Sequence, residues 1–176
     1  MHLEPLLIQV LPRLAHTGSF DEVKGTLDLS SIDIGHRHFD VPEGISYDLL
    51  LTNTGEAVLL SGKAKAELKT KCDRCLEILN LDITGETQGY YLFDKASVKE
   101  GESREEYEEV DRKGRIDIAP VLLAAVVFEI PTVNFCKADC KGIEFEDPAQ
   151  EEQAESKVEE APPSPFAALK DFKFEE

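Results

Sequence analysis

Four cysteines arranged as two close pairs are the residues with the most evident chemistry. Cys72 and Cys75 form a C-x2-C pair, and Cys136 and Cys140 form a C-x3-C pair. Structural zinc takes four soft ligands at the corners of a tetrahedron, and each short pair can supply one edge of it. Four thiolates on one dication leave a charge of about −2, which neighbouring cations would offset; these are Lys71, Arg74, Lys137 and Lys141. The pattern predicts a structural zinc site.

Other interpretations of the cysteines remain open. The four thiols can be reduced and partly buried without a metal. A redox dithiol is less favoured, because a redox C-x2-C pair belongs at a helix start near a βαβ pattern, whereas this one follows a predicted strand. Catalytic zinc is disfavoured because four cysteines leave no open coordination position. Gly142, next to the second pair, is expected to allow a tight turn beneath a metal.

Alternating apolar and polar residues in the first half of the chain predict β-strands. Strands are expected over residues 23–29, 45–52, 57–71 and 79–86. The turn signal Asn53-Thr54-Gly55-Glu56 precedes the longest of them. Strands that follow one another through short turns favour an antiparallel sheet with one face in solvent.

One helix is expected in the second half of the chain. Val121 to Phe128 is apolar on nearly every side, which is typical of a helix buried against a sheet. Asp117 is suited to the N-cap, Pro120 is tolerated in the first turn, and Pro131 should end the helix. The predicted fold class is α+β, with a mainly antiparallel β-sheet, one buried helix and closure by the two cysteine pairs.

Two acidic segments define the expected domain organisation. Between Glu100 and Asp111 there are seven acidic residues and one basic residue, so we expect a mobile loop over about residues 94–115. A globular domain is expected over residues 1–147, followed by a disordered acidic tail over 148–176. The tail contains an apolar cluster that should dock on a partner or fold back onto the domain; its large members are Phe166, Leu169, Phe172 and Phe174.

A basic stripe along one predicted strand is the candidate for contacts with RNA. Lysines at odd positions share one face of the strand and lead to Arg74, with Glu67 interrupting them; they are Lys63, Lys65, Lys69 and Lys71. Such a row can follow a phosphate backbone. In the opposing interpretation, Asp82 and Glu86 on the following strand pair with these lysines across the sheet.

Composition narrows the classes of function. The net charge of −17 gives no overall attraction to nucleic acid and favours basic proteins as partners. No apolar stretch approaches the roughly 20 residues that span a bilayer, and the first residues lack the basic region of a signal peptide. We therefore expect a cytoplasmic protein with no membrane partner. His36 and His38 flank Arg37 in a predicted loop and are interpreted as surface residues. No catalytic constellation is evident, so neither enzyme activity nor a small-molecule substrate is expected.

Three motifs occur in an order that resembles a known family. Cys72-Asp73-Arg74-Cys75-Leu76 at a strand end resembles a C-x-R-C signature, and Ile116-Asp117 leads through an apolar helix and Pro131 to Cys136-x3-Cys140-x-Gly142. Pro165-Phe166-Ala167-Ala168-Leu169-Lys170 looks like a terminal Pro-Phe-Ala-x-Leu motif. This order is similar to that of the YceD-like proteins, the large ribosomal RNA subunit accumulation proteins.

The resemblance implies a non-catalytic ribosome biogenesis factor that supports accumulation or processing of large-subunit (23S) rRNA. Some members of that family lack the full set of four cysteines, so zinc would serve as a local stabiliser. Two other functions stay open. The acidity and the tail suggest a chaperone or adaptor for a basic ribosomal protein, and the cysteine pairs suggest, with less support, a thiol redox protein.

Overall fold

Nine strands and one helix make up the parts of the chain that this computed structural model describes, residues 3–94 and 108–143. The predicted tail and most of the predicted acidic loop fall on residues 95–107 and 144–176, outside the described residues. In chain order the elements are β1 (Leu7–Gln9), β2 (Phe20–Leu27), β3 (Ser31–Ile34), β4 (Arg37–Asp40), β5 (Ile45–Asn53), β6 (Ala57–Lys71), β7 (Ile78–Leu92), β8 (Glu108–Glu109), β9 (Arg115–Asp117) and α1 (Ala119–Glu129).

Strands β6 and β7 are the longest elements and pair with each other along their whole length. Their antiparallel register runs from Ala57 opposite Leu92 to Lys71 opposite Ile78. The other edge of β6 pairs with β5 and, at Lys69, with β4. Strands β2 and β3 extend the sheet beyond β5 and β4, β8 adds to β7 in parallel, and β1 pairs separately with β9. The mainly antiparallel sheet with a single helix in the described residues confirms the predicted α+β class.

The predicted alternation of the long strand is confirmed. β6 has the bounds that its sequence predicts, and its even-numbered apolar residues are buried; they are Val58, Leu60, Ala64, Ala66 and Leu68. The turn before it also forms where expected, with the Thr54 amide donating to the Ala57 carbonyl at 2.9 Å. Strands β3 and β4 were not predicted. Each has four residues, which is too short for a clear alternation to appear.

Helix α1 lies on the inner face of β7 and β6. Its buried residues are Ala119, Leu122, Ala125 and Val126, whereas Phe128 is 85% exposed, so burial is confined to one side of the helix. The helix ends before Pro131, as predicted. None of the helical structure within residues 3–94 and 108–143 is long and apolar enough to cross a membrane.

The start of α1 differs from the prediction. Ile118 occupies the N-cap position and makes no side-chain cap, so the prediction of Asp117 as the N-cap is wrong. The Asp117 carboxylate instead accepts hydrogen bonds from the amides of Leu6, at 2.9 Å, and Ala119, at 3.1 Å. It therefore satisfies one amide of the first turn and also holds the N-terminal segment to the helix.

The structure does not support the predicted closure of the fold by the two cysteine pairs, because no covalent bond joins them. All four cysteines are free thiols. What the fold does is bring the two pairs together from loops that lie on either side of α1 in the sequence.

We expect Gly85→Ala to lower the free energy of unfolding by about 1–3 kcal/mol, as overpacking does in other cores. A Cβ at Gly85 would overlap with the carbonyl oxygen of Ala125, so the helix would have to move away from the sheet. Urea denaturation followed by circular dichroism measures the effect. Thr84→Ala, at an exposed position of the same strand, is the control. Equal stability of the two variants would contradict the close approach of α1 to β7.

Candidate metal centre and adjoining basic surface

The first cysteine pair lies in the turn that joins β6 to β7. The Cys72 amide donates to the Glu77 carbonyl at 2.8 Å, and the Leu76 amide donates to the Cys72 carbonyl at 3.0 Å. Leu76 has a φ of +62° and is the only non-glycine residue with positive φ in the described part of the chain. This left-handed backbone costs an L-residue about 1–2 kcal/mol. The turn accepts that cost and thereby folds Cys75 back toward Cys72.

The second cysteine pair lies in the loop that follows α1. The Cys140 amide donates to the Lys137 carbonyl at 3.2 Å, which makes a tight turn between the two cysteines. Gly142 has a φ of +83°, a conformation that favours glycine, as the sequence predicted for this position. Its Cα hydrogen faces the backbone of Arg74 in the first cysteine turn.

Backbone and side-chain contacts hold the two cysteine loops together. The Asp73 amide donates to the Asn134 carbonyl at 2.9 Å, and the Asn134 amide donates to the Asp73 carboxylate at 2.6 Å. Arg74 donates from Nη1 to the Cys140 carbonyl at 3.0 Å, and its guanidinium lies 4.1 Å from the centre of the Phe135 ring. These reciprocal contacts fix the relative position of the loops, and Arg74 takes part in them.

The sulfur atoms of the four cysteines converge on one point. Cys72 and Cys140 are 3.9 Å apart, Cys75 and Cys136 are 3.6 Å apart, and all four Sγ atoms lie within 4.8 Å of one another. A disulfide would need about 2.05 Å. Tetrahedral zinc with Zn–S bonds of about 2.3 Å separates its sulfurs by about 3.8 Å. The donor set and the spacing therefore fit a tetrahedral metal site.

Backbone amides surround the sulfur of Cys72. The amide of Cys75 has the largest effect on the pKa of this thiol. The amides of Arg74 and Cys136, each 3.4 Å from the sulfur, act in the same direction. Together these hydrogen bonds outweigh burial and lower the pKa of Cys72 to about 6. At Cys75 a hydrogen bond from the Glu77 amide lowers the pKa of the thiol. Burial and the neighbouring thiols raise that pKa by more, so the pKa of Cys75 is raised overall. Because the pKa of Cys75 is raised, a metal that binds here would have to displace its proton.

A comparison with protein-family models relates this chain to a known family. The family model described as "Large ribosomal RNA subunit accumulation protein YceD" matches residues 60–173. The chain belongs to this family. The match includes most of β6, all of β7 and α1, and the four cysteines, and it confirms the resemblance seen in the sequence. No curated protein matches the chain significantly, and neither does any solved structure.

The lysines of this YceD-family chain lie on the solvent face of β6, as predicted, and acidic residues interrupt and pair with their row. Lys63 has its ammonium 3.7 Å from the Glu86 carboxylate, which is one of the pairs that the opposing interpretation named. Glu67 lies opposite Asp82, so two acidic residues separate Lys65 from the cysteine end of the strand. Lys69 and Lys71 lie beyond them, and neither makes a salt bridge among the described residues.

Arg37 is a residue of the site that the sequence did not reveal. The predicted loop around it is strand β4, and its side chain is 17% exposed. Nη1 donates to the carbonyls of Pro131 and Thr132, both at 3.0 Å, and Nη2 lies 4.0 Å from the Asp73 carboxylate. Arg37 thus joins β4 to both cysteine loops. Its partners lie far along the chain, so no local pattern could have indicated this role.

The proposed docking residues of the tail fall outside the described residues, so the structure does not place them; they are Phe166, Leu169, Phe172 and Phe174. At the end of the predicted acidic loop, residues 108–115 are described. They form β8 and a turn in which the Asp111 carboxylate accepts hydrogen bonds from Lys113 and Arg115.

We expect Asp33→Asn to lower the pKa of His38. The Nδ1 atom of His38 lies 2.6 Å from the Asp33 carboxylate, and its Nε2 atom lies 3.2 Å from the Asp40 carboxylate. Both hydrogen bonds raise the pKa of His38 above 6.5, and the bond to Asp33 has the larger effect. The stabilisation of the folded state by these hydrogen bonds is complete below the pKa that His38 has in the unfolded chain. It is lost as the pH rises through the higher pKa of His38 in the folded protein.

Titration of the His38 ring signals by NMR measures the change. The control is Asp28→Asn, which removes an exposed carboxylate outside β3 and β4. An unchanged His38 pKa in the Asp33 variant would show that the pair does not persist in solution.

Proposed function

We propose that this chain is a non-catalytic cytoplasmic factor that supports accumulation of large-subunit rRNA, with a structural zinc ion at the four cysteines. The family match over residues 60–173 is the observation that carries the first part. The family's description names large-subunit rRNA, and the matched residues include the long hairpin and both cysteine loops. The described chemistry favours binding over catalysis, because four thiolates would occupy every position of a tetrahedral ion.

The zinc proposal rests on the fit of the sulfur atoms. Cys72 and Cys140 are buried and the other two cysteines are half-buried, so a bound ion would be largely shielded from water. When bound, zinc would supply four bonds between loops that are otherwise joined by hydrogen bonds and one stacked arginine. In this sense the cysteine pairs would close the fold. The residues that hold the loops also orient the sulfurs, as supporting residues do in other metal sites.

We expect untagged full-length protein to contain one zinc ion per chain and no thiol that reacts before a chelator is added. Cys75→Ser and Cys136→Ser should lose the ion, and both should unfold at lower temperature, because each removes a ligand and leaves the loops unbonded. Metal analysis by mass spectrometry and a thiol count measure this. Asp139→Asn, an exposed neighbour within the second pair, is the matched control and should keep the ion.

A metal-free protein in which a disulfide forms and opens reversibly would contradict the zinc proposal. It would instead favour a thiol redox protein. The two results are chemically exclusive, because cysteines paired in a disulfide do not offer thiolates to a metal.

The RNA contact is proposed for the solvent face of β6. We expect K63Q/K65Q/K69Q/K71Q to weaken binding of large-subunit rRNA fragments and to reduce the salt dependence of the affinity by about 0.7 for each phosphate of a single strand that the variant no longer neutralises. Arg74 is left out of the variant because it holds the cysteine loops together. Filter binding over a series of salt concentrations gives both quantities.

A charge-matched variant separates a local effect from a general one. R13Q/K24Q/R112Q/K113Q removes four exposed positive charges outside β6 and should bind rRNA more nearly as the unmodified protein does. In cells of the source organism, loss of the protein should lower the ratio of large-subunit to small-subunit rRNA. An unchanged ratio would refute the proposed function. Co-purification with a basic ribosomal protein, without affinity for rRNA, would favour the chaperone alternative.

A further inference from the structure

A cleft of about 420 Å³ lies at the cysteine end of the sheet, between β4 and the paired ends of β6 and β7. Its walls are fixed by the sheet register and by Thr70, whose hydroxyl donates to the His38 carbonyl at 3.0 Å. Arg37 forms part of one wall and is anchored in the second cysteine loop. The cleft is therefore built from rigid elements, and its volume is in the range of small-ligand sites.

Besides Arg37, which lies 4.0 Å from the Asp73 carboxylate, positive charge in the cleft comes from Lys69 and Lys71. Both side chains are exposed, and neither is neutralised by a salt bridge within the described residues. His38 is held between the carboxylates of Asp33 and Asp40, which raise its pKa and offset the charge of its cationic form. Asp40 and Asp73 also line the cleft, so its charge suits one phosphate better than a dense cluster of them.

One apolar side chain, Ile78, lines the cleft and is open to solvent. Ile78 is directly opposite Lys71 in the strand register, and 75% of it is exposed. His36 also lines the cleft, at the turn between β3 and β4. Flat heterocycles pack on apolar and aromatic side chains, and proteins commonly take up the unstacked bases of single-stranded RNA in this way. A lone inorganic phosphate would make no contact with Ile78 or His36.

We propose that this cleft binds one nucleotide of single-stranded RNA, with its phosphate on Lys69 and Lys71 and its base against Ile78 and His36. The inference rests on the proposed function and narrows the RNA contact from the whole lysine row to its cysteine end. Double-stranded RNA should bind less well, because its bases are stacked inside the helix and cannot enter a cleft of this size. The cysteine loops position the cleft through Arg37 and Asp73.

The test uses full-length protein labelled with ¹⁵N and titrated with a ten-nucleotide single-stranded RNA and with the four ribonucleoside monophosphates. The amide signals of the cleft should shift, and those of β2 should not; the cleft signals are His36, His38, Lys69, Lys71 and Ile78. K69Q/K71Q should weaken binding of the RNA about tenfold or more and reduce the salt slope by about 0.7, because one phosphate is no longer neutralised. Ile78→Ser should weaken binding and leave the salt slope unchanged.

K24Q/K113Q is the matched control, since it removes two exposed positive charges outside the cleft and should bind RNA as the unmodified protein does. Equal affinities of K69Q/K71Q and this control would overturn the cleft proposal even if RNA binding and the cellular rRNA ratio are intact. Inorganic phosphate that causes the same shifts with the same affinity as the monophosphates would also overturn it. A normal rRNA ratio in cells lacking the protein, together with nucleotide shifts in the cleft, would refute the proposed function alone.

Discussion

The continuous pairing of β6 with β7 is the constraint on which the rest of the structure depends. Fifteen consecutive residue pairs fix which side chains of both strands face the helix and which face solvent. A shift of one residue would turn the buried row of β6 outward and its lysines inward. The same register sets the ends of the strands, and these ends determine where the first cysteine turn begins. The apolar face, the basic face and the position of the first cysteine pair are therefore consequences of one pairing.

The helix adds the second half of the site. It packs so closely on β7 that its backbone meets Gly85, and the loop that follows the helix contacts the turn at the end of the hairpin. Reciprocal hydrogen bonds between Asp73 and Asn134 and the stacked Arg74 complete the approach. Each of these contacts is modest alone, since a typical hydrogen bond stabilises by about 0.5–1.5 kcal/mol. Their common effect is to place four sulfur atoms within reach of one ion.

Features with a local cause could be predicted from the sequence, and features with a distant cause could not. The alternation in residues 57–71, the apolar helix and the short spacing within each cysteine pair all produce regular patterns along the chain. Strand β4 is too short to show one, and Arg37 acts on carbonyls more than ninety residues away. The lysine row was visible in the sequence. The placement of Glu67 opposite Asp82, which divides that row, depends on the strand register.

The separation of the two cysteine loops has a consequence for the order of events during protein synthesis. Cys72 and Cys140 are 68 residues apart, so at translation rates of about 5–20 residues per second the second pair is made roughly 3–14 s after the first. In that interval the hairpin can form, but the nascent chain offers an ion only two of its four ligands. Strand β1 cannot pair during that interval, because its partner β9 lies late in the chain. Completion of the sulfur cluster therefore requires that the helix and the second cysteine loop have already been synthesised.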